Sequence, residues 1–188
     1  MPFDHFDLLA PLYDRVINKY KPEKLSGFVK LPIKGRILDA GGGTGRVAQW
    51  LNVDSSQIVV VDLSHSMLRQ AVIKRGLVSV CSQTEALPFV DCSFERIVMV
   101  DALHHVFDQG ATAEELWRLI EPGGKIIIEE LNISVLGVKL VAAAEKLALM
   151  RSRFLSSNQI ADLFPEQESI ISIENESYNT WIVIEKKE

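Results

Sequence analysis

The chain has 188 residues, 47% of them hydrophobic and 24% charged, with a formal net charge of −5. That length suits one domain with a sizeable core, and the acidic balance argues against nucleic acid as a partner, since nucleic acid calls for basic surface. The two cysteines, Cys81 and Cys92, fit neither a metal-ligand spacing nor a disulfide framework and read as free thiols of a reducing, cytoplasmic setting.

In chain order, the opening MPFDHFDLLA lacks the basic start and apolar run of a signal peptide. Residues 36–40, RILDA, form a short apolar run ended by glycines, the pattern of a buried strand, and a helix is expected from Arg46 to Leu51. QIVVVDL (57–63) is β-branched and predicts a second strand. Ser64 then caps a helix to about Arg75, with Met67, Leu68, Ala71 and Val72 on its apolar face. LVSVCS (77–82) and FERIVMVDA (94–102) predict the third and fourth strands. Thr112 is expected to cap a helix through Leu119 that Pro122-Gly123-Gly124 stops, and KIIIEEL (125–131) is the fifth strand. Apolar strands separated by helices imply a parallel sheet covered on both faces.

Residues 134–150 look helical and apolar around most of their circumference, a pattern that covers a ligand or meets a partner, which leaves a homodimer open. Lys139, Glu145 and Lys146 make that stretch too charged to span a bilayer, so no stable membrane insertion is expected. Ser157 or Asn158 caps a further short helix ending near Phe164-Pro165, and 169–174 with 178–186 predict an antiparallel hairpin at a sheet edge. Trp117 reads as core, and Trp181 as packing on an edge strand.

The segment ILDAGGGTGRVA (37–48) carries the chemistry, because glycines between a strand and a helix let backbone approach a ligand closely. Gly43-x-Gly45-x-x-Ala48 satisfies a dinucleotide fingerprint, and Asp62 ends the second strand where an acid would meet a ribose. An NAD-linked oxidoreductase is therefore one reading. Asp39 favours another, since a carboxylate at the mouth of the loop repels a pyrophosphate by roughly 1–4 kcal/mol at ~4 Å. S-adenosylmethionine (SAM) carries a sulfonium and an ammonium instead, which an acid welcomes.

The chain here resembles the class I SAM-dependent methyltransferases, in particular the ubiquinone/menaquinone-biosynthesis-like, type 11 group. Asp39-x-Gly41-x-Gly43-x-Gly45 is similar to the first motif of that family, TEALPF (84–89) to the segment after its third strand, DCSFERIVMVDALHHV (91–106) to its fourth strand, and LWRLIEPGGKIIIEE (116–130) to its fifth. FDLLAPLYDRV (6–16) resembles its opening. The resemblance implies an α/β, Rossmann-like, doubly wound seven-stranded sheet, mostly parallel with an antiparallel last strand. It implies one domain over 1–188, with 1–22 and roughly 131–165 as a cap over the acceptor. It also implies SAM as cofactor, S-adenosylhomocysteine as product and a small-molecule, partly apolar acceptor. Asp39, Ala40, Gly41, Gly43 and Gly45 would hold the methionine half, Asp62 the ribose, and Leu63 and Met67 the adenine; Gln83, Thr84 and Asp101 would line the site, and Tyr13 would close over it.

Ser82-Gln83-Thr84 departs from the Gly-Asp-Ala of many relatives, and the Gln83 carbonyl can accept the adenine amino hydrogen bond that the aspartate accepts there. His104 and His105, just past the fourth strand, are the candidates for a general base and are not distinguishable by spacing. His5 and His65 have no partners at metal-ligand spacing, so no metal is expected. Arg151 and Arg153 would meet an acidic acceptor. A non-catalytic relative that keeps the cofactor site, acting as a sensor or partner subunit, is the third reading.

Overall fold

A computed structural model describes residues 23–135 and 152–188. The expected helix over 134–150 falls almost wholly outside them, as does Tyr13 with the rest of 1–22. The elements run α1 (Glu23–Val29), β1 (Ile37–Ala40), α2 (Arg46–Leu51), β2 (Ile58–Asp62), α3 (His65–Arg75), β3 (Val78–Cys81), β4 (Phe94–Val100), α4 (Gln109–Leu119), β5 (Ile120–Leu131), α5 (Ser157–Ala161), β6 (Ser169–Asn175) and β7 (Asn179–Lys186). They form one seven-stranded sheet of order β3-β2-β1-β4-β5-β7-β6. β1 to β5 pair in parallel, and β7 runs antiparallel between β5 and β6.

Alternation along each strand sends side chains to two cores. Leu38, Ile97, Ile126 and Ile128 pack under α4 and α5 with Leu116, Leu119 and Ile160. Ile37, Val60, Val98 and Ile127 pack under α1, α2 and α3 with Leu25, Val47 and Leu68. The sheet is thus covered on both faces, which is why its central strands lack the alternation of polar and apolar residues. Each such fully buried aliphatic side chain contributes about 1.5–3 kcal/mol of transfer free energy.

Several boundaries differ from expectation for local reasons. Ser64 caps α3 as expected, its Oγ accepting from the Met67 N–H at 3.2 Å, but Val72 is half exposed rather than on the packed face. α4 starts at Gln109, because Asp108 takes the cap by accepting from the Ala111 N–H at 3.0 Å. Thr112 is buried inside that helix and hydrogen-bonds the Thr84 hydroxyl at 3.1 Å. α5 is capped by Ser156 rather than Ser157 or Asn158, because Gln159 completes a reciprocal box with it. β5 begins at Ile120, and Pro122-Gly123-Gly124 lies in the register shift between Phe94↔Ile120 and Arg96↔Lys125. Trp181 is on β7, one strand in from the edge, and is fully buried.

Arg118 of α4 fixes the long connection between β3 and β4. Its guanidinium pairs with Glu115 at 2.7 Å and with Asp91, and donates to the carbonyls of Leu87 and Phe89. Glu85 in the same connection accepts from the N–H groups of Phe107 and Asp108 at 2.9 and 3.0 Å, tying it to the loop after β4. Among the described residues no helix is long and apolar enough to cross a membrane.

Replacing Asp108 with alanine is expected to lower the unfolding free energy by about 1 kcal/mol in a urea titration; an unchanged midpoint would show that α4 does not depend on this cap.

Candidate active site

The strand order reverses between β1 and β4, and the parallel strands present their carboxyl ends along one edge, so the crevice where ligands bind in such sheets lies there. β1 ends in Asp39-Ala40 and delivers Gly41 to Gly45 into it. The Asp39 carboxyl is fully buried, and neither oxygen has a hydrogen-bond partner among the described residues. It lies against Gly42 so closely that a Cβ there would come within 2.4 Å of its Cγ, which is why no larger residue fits at 42. Burial is the main cause that pushes this carboxyl up to about 7; Arg46 opposes the shift and Asp62 adds to it.

Gly43, at φ +55°, is not crowded: a Cβ there would make only ordinary contacts, with Asp62 Oδ2 at 3.8 Å and Met67 Cε at 4.0 Å. Three of the loop's N–H groups are already used. Gly42 donates to the Val61 carbonyl at 3.0 Å, Gly43 to Asp62 Oδ2 at 2.9 Å, and Gly45 to the Gly42 carbonyl at 2.9 Å. A cradle for pyrophosphate needs such donors turned toward the ligand. Here a buried carboxyl and a second carboxylate stand in their place, which disfavours the dinucleotide reading.

Asp62 ends β2, and its Oδ1 also accepts from the Ser64 N–H at 2.7 Å. Leu63 beside it is 61% exposed and Met67 is buried under the loop, so the two flank the crevice from outside and below. Ala40 and Thr84 are buried, Ala40 in the core and Thr84 against Thr112, while Gln83 is exposed at the rim. Asp101 follows β4 at φ +55° and donates its N–H to the Glu129 carbonyl at 2.9 Å.

The two histidines separate. His104 is buried, with its Nδ1 2.7 Å from Glu130 Oε2 and its backbone N–H donating to Glu130 Oε1 at 3.2 Å. Its ring stacks on Phe154 at 4.4 Å, and its carbonyl accepts from the Arg153 N–H at 2.8 Å. His104 thereby ties the loop after β4 to the returning segment 152–156. His105 is half-buried, with Ser152 Oγ 3.3 Å from its Nδ1, and burial with His104 beside it holds its pKa down at about 3. So neutral an imidazole is a weak base. Arg153 is exposed beside Asp108 and Asp162. Spacing alone missed Glu85, Glu129 and Glu130, since their partners lie on other strands and loops.

Residues 38–128 match the Methyltransf_11 family, described as a methyltransferase domain. The chain is 29% identical over 137 residues to the ubiquinone/menaquinone biosynthesis C-methyltransferase of Coxiella burnetii, the match covering 68% of this chain and 55% of the relative. The chain therefore spans about half the length of the curated relatives it matches. A Thermotoga maritima SAM-dependent methyltransferase, named as a possible histamine N-methyltransferase, has a TM-score of 0.77 at 24% identity, covering 97% of this chain and 98% of that one. The phosphoethanolamine N-methyltransferase 2 of Haemonchus contortus, solved in complex with SAM, has a TM-score of 0.76 at 17% identity, covering 97% of this chain and 57% of that one.

The raised Asp39 carboxyl has a signed consequence. With a folded pKa near 7 and an unfolded value of 3.8, the folded state binds more protons between those limits. Its contribution therefore favours the fold at low pH and weakens it as pH rises toward about 7. Asp39→Asn is expected to match the parent at or below pH 3.8 and to exceed it by up to about 4 kcal/mol near about pH 8, the scale of ~1.4 kcal/mol per pKa unit. Denaturant titrations at both pH values check this, and a difference independent of pH would mean that Asp39 is charged throughout.

Proposed function

Because this chain belongs to the SAM-dependent methyltransferase family, we propose that it binds SAM across the carboxyl ends of β1, β2 and β4 and transfers a methyl group to a small, partly apolar acceptor. The observation that carries the reading is the buried, unpartnered Asp39 carboxyl packed beneath the glycine loop. A buried carboxylate without a partner is costly, and a cationic ligand supplies the missing partner. The site fits SAM in its remaining parts as well: Gly43 leaves room for close approach, Asp62 stands at the end of β2 where the ribose would lie, and Leu63, Met67 and Gln83 border the place for the adenine.

Bound there, SAM supplies an electrophilic methyl group on a sulfonium, already a good leaving group. The chain's part is to hold the two reactants in line and to exclude water, which can be worth roughly 7–11 kcal/mol. Asp39 and Asp62 orient the cofactor from below. The His104–Glu130 pair holds the loop after β4 against segment 152–156, so the wall of the crevice keeps one shape. His104 is in this account a positioning residue. Carbon methylation, as in the quinone-pathway relatives, is the transfer their likeness supports.

Calorimetry on the full chain tests the reading. SAM is expected to bind and NADH to leave no heat, and binding of NADH in preference to SAM would overturn the assignment. Asp62→Ala should weaken SAM by about 1.5–3 kcal/mol, the scale of a hydrogen bond to a charged group. His104→Ala and His105→Ala should leave its affinity nearly unchanged; loss of binding in either would put that loop in the cofactor site.

A further inference from the structure

Resting on that reading, we infer that the acceptor carries a cationic amino group, seated on Glu129 in an acidic cavity at the carboxyl ends of β4 and β5. A cavity of about 840 Å³ opens there between α2 and the turn joining β6 to β7. That size suits a small organic ligand, since such pockets run to about 300–1,000 Å³. Asp101, Glu129 and Glu176 line it, Glu176 being ion-paired with Lys24 at 3.1 Å, and Arg46 is the cation among the described lining residues.

Glu129 is 4% exposed, and its carboxyl makes no hydrogen bond among the described residues although it borders the cavity. Its neighbour Glu130 points to the opposite face of the sheet and has both oxygens engaged by His104. The two consecutive acids thus differ: one is paired within the fold and the other is turned to the cavity. Burial, with Asp101 and Glu130 adding and Arg46 opposing, pushes the Glu129 carboxyl up to about 8, so a ligand cation seated beside it would favour its ionised form.

The ligand's cation is distinct from the cofactor's. Sheet order places β5 two strands from β1. At a spacing of about 4.8 Å per strand, Glu129 stands ~10 Å sideways from Asp39, so each acid can serve a different positive group. Among the described residues no group of three or more His, Cys, Asp or Glu side chains could hold a metal ion. Leu131 and Tyr178 add apolar surface beside the acids, which suits an amine on a hydrocarbon or aromatic body rather than a bare cation.

The test uses the full chain saturated with S-adenosylhomocysteine and measures binding of 2-phenylethylamine and n-hexylamine against 2-phenylethanol and n-hexanol by calorimetry. The amines are expected to bind at least about tenfold tighter than the alcohols. Glu129→Gln, which keeps the side-chain shape, is expected to abolish that preference while leaving S-adenosylhomocysteine affinity within about twofold. Equal binding of amines and alcohols by the parent protein overturns the proposal and leaves the methyltransferase reading standing. A loss of S-adenosylhomocysteine affinity in Glu129→Gln equal to the loss for the amines also overturns it, by assigning Glu129 to the cofactor. Failure of the parent chain to bind S-adenosylhomocysteine at all removes the underlying reading, and this inference with it.

Discussion

A carboxyl group without a partner, at the end of a central parallel strand, is the constraint on which the rest of the site depends. Asp39 is fully buried, its neighbour must be glycine for it to fit, and its oxygens meet no donor among the described residues. A fold maintains such a group only if something else satisfies it or if burial keeps it protonated. The pyrophosphate of a dinucleotide cannot do the first. The loop's own hydrogen bonds reinforce the point, since the N–H groups of Gly42, Gly43 and Gly45 are spent on Val61, Asp62 and Gly42. The choice between two cofactors that share a glycine pattern thus rests on where charge is buried rather than on glycine spacing.

The sheet then distributes chemistry by parity. Asp39 and Glu129 lie on the face covered by α1, α2 and α3, while Glu130 lies on the face covered by α4 and α5. One residue of displacement along β5 therefore separates a group bonded to the loop after β4 from a group that borders the cavity. The helices supply support at a distance: Arg118 and Glu115 of α4 hold the connection from β3, and Glu85 in that connection holds the loop after β4. The edge of the crevice is built by these cross-ties, and the ligand contacts are carried on strand ends and short turns.

Much of this was legible in the residues themselves. The five parallel strands, the Ser64 cap, the terminal hairpin and the glycine loop with its acid all rest on local periodicity or on motifs a few residues long. What was not legible depended on competition or on distance. Asp108 takes the cap expected of Thr112 because a better acceptor stands four residues earlier, and Thr112 is drawn into a buried bond with Thr84, 28 residues away. Pro122-Gly123-Gly124 looked like a helix stop and lies in a strand irregularity, since the ladder to β4 resumes on the other side of it. His104 and His105 are identical in type and adjacent in sequence; only the partner 26 residues on, Glu130, tells them apart. Glu129 carried no signal at all, because a glutamate in an apolar strand looks the same whether it faces solvent, a partner or a ligand.

The most direct measurement of the central claim is the titration of the Asp39 carboxyl itself, followed by carbon NMR on the full chain with and without SAM. The account predicts a midpoint near 7 in the free protein and a fall of at least about two pH units when the cationic cofactor binds, the size expected for an opposite charge close by. A midpoint that stays put, or rises, on binding would mean that the buried acid does not meet the ligand's positive charge, and the selection of cofactor argued from it would fail.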